Sequence, residues 1–152
     1  MVILATALHI LAAVVWVGGM FFAYLVLRPA TGPMQPPERL GLWNRAFAKF
    51  FVWVWVAVIV LLLSGYWLLF DDLGGFAAAG VHAHIMQGIG LLMMLLFVHL
   101  YAVPYQRFRR AVAASEFAAA AAALNQIRVI VATNLVLGLV AAVVGATGRH
   151  WE

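Results

Sequence analysis

VILATALHILAAVVWVGGMFFAYLVL, residues Val2–Leu27, runs without one charged side chain until Arg28-Pro29 stops it. At about 1.5 Å of rise per residue, roughly 20 apolar residues match the ~30 Å hydrocarbon layer of a bilayer, where a helix satisfies its own backbone polar groups. The stretch lacks the basic start of a signal peptide and outlasts a typical signal-peptide apolar core, so it reads as a retained first membrane span. Three further runs match it: 50–70, closed by Asp71-Asp72 and Gly74-Gly75; about 80–103, stopped by Pro104 and Arg107; and 129–147, closed by Gly148-Arg149. The composition agrees, with 67% hydrophobic and 9% charged residues in a chain of 152, against about 25% charged in soluble domains. The chain reads as one all-α domain, an integral membrane four-helix bundle of up-down-up-down topology.

The connections carry the charge. Segment 28–49 holds Pro29, Pro33, Pro36 and Pro37 with Arg39, Arg45 and Lys49, and reads as a loop with at most a short helix near its end. Segment 104–128 holds Arg107, Arg109, Arg110 and Arg128, and its alanine-rich part, 111–124, is helix-prone and extends span three or four. Of nine Lys and Arg residues, only Arg149 falls on the other side, beside Asp71, Asp72 and Glu152. The positive-inside rule puts both basic segments in the cytoplasm and both termini outside, N-out/C-out. It also accounts for the pI of about 10.1 without nucleic acid. Trp43, Trp53, Trp55, Trp67 and Tyr101 fall near span ends, as interfacial aromatic rings do. The absence of cysteine rules out disulfides, thiolate metal sites and iron–sulfur clusters. Gly138, Ala142 and Gly145 form a small-residue face on span four. It suits a neighbour within the chain or, alternatively, a second copy in a homodimer.

Ionisable groups inside a bilayer are costly and usually functional. No Lys, Arg, Asp or Glu falls within the four runs; histidine remains, with His9 in span one and His82, His84 and His99 in span three. Spans one and three run the same way, and His9 and His84 each lie about 10 Å below the outer end. Small residues flank them: Ala5, Thr6, Ala12 and Ala13 around His9, Gly88 and Gly90 after His84. A flat macrocycle needs smooth helix surface beside its axial imidazole, so a matched pair of histidines at one depth suits bis-His ligation of haem b, with Ala13 and Gly88 beside the ring and His99 deeper. The plainer reading is that each histidine only bonds a neighbouring helix.

His82-x-His84-x-Met86 suggests copper instead. On a helix, residues two apart point away from each other, so His82 and Met86 share one face, soft enough for Cu(I), while His84 points elsewhere.

The opening Ala7-Leu8-His9-Ile10-Leu11-Ala12-Ala13-Val14-Val15-Trp16-Val17-Gly18-Gly19-Met20 resembles the first span of the copper resistance protein D (CopD) family. The stretch from His84-Ile85-Met86-Gln87-Gly88 to His99-Leu100-Tyr101 is similar to small single-domain members of that family. The resemblance implies copper transport or delivery in a bacterial cytoplasmic (inner) membrane. The His9–Trp16–Gly19 segment is also similar to HemJ-type membrane protoporphyrinogen oxidases, in which a span-one histidine is tied to haem; His9 holds the matching position. The leading expectation is a membrane haem b protein passing electrons to a quinone or a redox partner protein, with oxidoreductase activity open. Copper handling is the alternative, and a structural or assembly subunit of a membrane complex is a third.

Overall fold

The computed structural model describes residues 1–151. Helix α1 (Val2–Phe21) continues through a π-helical stretch (Phe22–Leu27) and a last α-turn (Arg28–Ala30). The others are α2 (Pro36–Asp71), α3 (Val81–Ala102), α4 (Pro104–Ala113) and α5 (Phe117–Thr147), followed by a 3-10 turn (Gly148–His150). Four helical stretches are long and apolar enough to cross a membrane: Val2–Ala30, Pro36–Asp71, Val81–Ala113, which is interrupted at Val103, and Phe117–Thr147.

Two helices start earlier than the sequence suggests. Segment 28–49 is mostly helix, because Pro36 and Pro37 occupy the first positions of α2. There a missing N–H costs nothing and a fixed φ favours the helix, so the prolines start α2 where they seemed to forbid it. Pro104 does the same for α4 after a break at Val103. Only residues 114–116 separate α4 from α5, with Ser115 in the left-handed region at φ 58°.

Side-chain contacts fix the packing. His9 meets Ser64 and Gly19 meets Phe50, so α1 and α2 are antiparallel. Met93, Met86 and His82 of α3 lie over Gly138, Gly145 and Gly148 in turn, so α3 and α5 are antiparallel too. Helix α1 sits between α2 and α5, and Trp16 reaches diagonally to Phe97 of α3, ring centroids 6.1 Å apart. This is the up-down-up-down order.

The seams differ in kind. Small residues let α1 approach α2 and let α5 approach α1 and α3, whereas α2 and α3 are held apart by rings. Phe51 packs on Phe97 at 5.7 Å and on Tyr105 of α4 at 4.7 Å, and Trp55 packs on Phe97 at 5.2 Å. Trp43 is 3% exposed, and Trp55 and Tyr101 are partly buried in this cluster, so these three rings are core rather than interfacial; Trp53 and Trp67 are exposed. Elsewhere the outer faces carry Ile3, Val14, Val52, Leu63, Leu95 and Val136, all exposed, a surface compatible with lipid.

Of the small-residue face on α5, Gly138 and Gly145 are spent within the chain. A methyl group on Gly138 would lie 2.7 Å from Val17 Cγ2 and 3.1 Å from Met93 Cε, and one on Gly145 would lie 2.9 Å from Met86 Cε. Ala142 is exposed.

Candidate functional site

His9 extends the inward stripe of α1 formed by Ala12, Trp16 and Met20. Its ring lies against α2, where Gly65 makes room: a methyl group there would stand 3.2 Å from His9 Cε1. His9 Nδ1 is 2.9 Å from Ser64 Oγ. The Ser64 hydroxyl has one proton and gives it to the Val60 carbonyl at 2.5 Å, the usual i−4 bond of a helical serine. Its oxygen therefore accepts from His9 Nδ1–H. That arrangement selects the Nδ1–H tautomer and leaves the Nε2 lone pair without a partner among the described residues. Metal-binding imidazoles are commonly set up this way, with one nitrogen tied to an outer partner and the other left for the metal.

Depth and direction separate for the histidine pair. Val17 and Met93 meet at Gly138. Counting back along each helix, His9 and His84 both lie roughly 12–14 Å further toward the termini, at nearly one level. They face different ways. The buried stripe of α3 is Met93, Phe97 and Leu100. His82 and Met86 continue it, whereas His84, Gly88 and His99 are exposed on the outer face. The structure therefore does not bring His84 to His9. Ala13 is half-buried beside the α1 stripe, and a methyl group on Gly88 would meet no other side chain within 4 Å.

His82 and Met86 do share a face. His82 packs on Gly148 and Met86 on Gly145, in the seam between α3 and α5 near the termini. No cluster of three or more His, Cys, Asp or Glu suited to a metal ion occurs among the described residues.

Three polar groups inside the helices are not ionisable and do not stand out in the sequence by charge. Ser64 is the first. Asn134 is buried in α5 and donates from Nδ2 to the Met93 carbonyl at 3.1 Å, while its Oδ1 is buried without a donor. Gln87 donates to Tyr66 Oη at 3.4 Å, linking α3 to α2. Asn134 was visible in the sequence as an amide in the middle of an apolar run; nothing in the sequence marks Ser64 until the register of α1 on α2 is known.

Comparisons with models of known families, with curated proteins and with solved structures found no match.

Proposed function

We propose that this chain is a multi-pass protein of a bacterial cytoplasmic membrane, N-out/C-out, that binds haem b through His9 and exchanges electrons with a quinone or a redox partner. The observation carrying this reading is the His9 imidazole, tied at Nδ1 to Ser64 and open at Nε2. Gly65 leaves room beside the ring, Ala5, Ala12 and Ala13 fall at i−4, i+3 and i+4 on its own helix, and the likeness of the first span to HemJ-type proteins points to the same residue. Haem when bound supplies one-electron chemistry; the chain supplies the ligand, its orientation and an apolar surround. The residues present fit one axial ligand. His84 faces outward, so the reading drops it as the second ligand.

The test is the absorbance of protein purified after expression with haem supplied. A Soret band is expected in the parent chain and in His84→Ala and His82→Ala, and is expected to vanish in His9→Ala. A parent chain without the band overturns the proposal.

One observation favours copper as a second reading: His82 and Met86 lie on one helix face in the same seam, a donor pair suited to Cu(I). Metal analysis of protein purified without chelator separates the two, since copper lost in His82→Ala would replace the haem reading.

A further inference from the structure

The end of the bundle away from the termini carries a surface that haem does not use. Helix α4 and the first turns of α5 form a hairpin closed by residues 114–116. Tyr105, Phe108 and Ala111 of α4 are buried with Ala120, Leu124 and Ile127 of α5, and this seam holds the hairpin together. Beside it runs an open groove of about 480 Å³. One wall carries Arg107 and Arg110, three residues apart and so neighbours on one face of α4. The other carries Ala119, Ala122 and Gln126 of α5, again at helical spacing, and Glu116 of the connecting turn lies at one end. All six are exposed. The charge is uneven. Segment 104–128 holds four arginines and one carboxylate, Glu116. Arg109 rests 5.7 Å from the ring centroid of Tyr105, whereas Arg107 and Arg110 face the groove and have no carboxylate within 4.0 Å among the described residues. The positive-inside rule explains which side these arginines take. It does not explain why α5 meets them with an unbroken run of alanine over 118–123, where the exposed positions of a surface helix ordinarily carry polar or charged residues.

Small side chains let a second helix backbone approach closely, and a guanidinium pairs with a carboxylate through a planar fork of donors. We propose that this groove docks a helix of an acidic partner protein, with carboxylates one turn apart on Arg107 and Arg110 and small side chains against the alanine wall. Charge complementarity selects the occupant. A second copy of this chain would bring an equally basic hairpin and be repelled. A single-stranded nucleic acid would find phosphate partners in the arginines, but the alanine wall gives its bases neither a donor nor a ring to stack on. An acidic helix uses both walls. The proposal is independent of haem, and it takes from the proposed topology only the compartment of the partner, the cytoplasm.

The test uses the full chain in neutral detergent, with fluorescent alanine-based helical peptides as probes and anisotropy as the readout. In the first peptide glutamates at i, i+3 and i+7 share one face; in the second the same glutamates are spread around the helix. Binding is expected from the first and to weaken as salt is added. Replacing Arg107 and Arg110 together by glutamine is expected to lower its affinity about tenfold, while Arg109→Gln binds as the parent chain does. Ala122→Leu, which fills the groove and leaves the charge unaltered, is expected to lower it several-fold. All four positions are exposed, so the fold does not depend on them. Equal binding of the two peptides, an Arg109→Gln loss as large as that of the double variant, or an unchanged affinity in Ala122→Leu would reduce the groove to general surface charge and overturn the proposal. So would no binding at all. Polyuridine RNA bound more tightly than the first peptide, or dimers of the chain that are lost in Ala122→Leu, would give the groove a different occupant and overturn it too.

Discussion

A neutral imidazole always has one lone-pair nitrogen, and a hydrogen bond from the other decides which; at His9 that bond goes to a serine whose own proton is already given away. The consequence can be measured. On the proposed haem ligation, Ser64→Ala keeps His9 and removes its anchor, so the Soret band is expected to persist while affinity in a haem titration falls by about 10- to 100-fold. Loss of the band, or no change in affinity, would show that Ser64 does something else. This half of the site was only partly legible in the sequence. His9 stood out as an ionisable group in an apolar run, and its small neighbours were readable from helical spacing. Ser64-Gly65 was not, because a helical serine ordinarily satisfies itself on its own carbonyl and gives no sign of a second partner. His84 misled for the converse reason: depth follows from counting residues, but direction depends on which stripe of α3 is buried, and that stripe runs through His82 and Met86.

At the level of elements, α5 is built for contact. Gly138→Val would force a branched side chain against Val17 and Met93, and overpacking of this kind costs roughly 1–3 kcal/mol. Ala142→Val, on the exposed face of the same helix, is expected to leave thermal unfolding in detergent unchanged while Gly138→Val lowers its midpoint. Equal effects would mean that α5 packs through its outer face, as a dimer would require. The sequence showed the glycine spacing and could not choose between these two faces. It also showed four apolar runs but not the true helix lengths, because prolines in 28–49 look like loop residues unless they are recognised as the first residues of α2. The rings of Trp55 and Tyr101 were similarly ambiguous, since an aromatic near the end of an apolar run suits either a bilayer interface or a seam between helices.

For the molecule as a whole, length and charge act together. Helices α2 and α5, at 36 and 31 residues, are about 54 and 46 Å long and exceed a ~30 Å hydrocarbon layer, so the excess stands out as a helical stub. On the proposed N-out/C-out topology the cluster of Lys and Arg places that stub on the cytoplasmic side. Because the chain has no cysteine, single substitutions report its sidedness cleanly. In intact cells an impermeant thiol reagent is expected to label Ala77→Cys, and to label Ala114→Cys only after the membrane is opened; the reverse pattern would invert the topology. The stub also gives the π-helical stretch a significance beyond local geometry. Each turn there holds one residue more than an α-turn, and Pro29, whose ring would crowd the carbonyl four residues before it, lies just beyond. Deleting any one residue between Phe22 and Leu27 would let the helix close in regular register. The wider turns already absorb that residue, so His9 would keep its place on Ser64 and Arg28 would keep its direction. A codon can therefore be lost from this stretch with both ends of the helix still facing their neighbours, whereas the same loss from the regular part of α1 would turn one end by about 100° against the other.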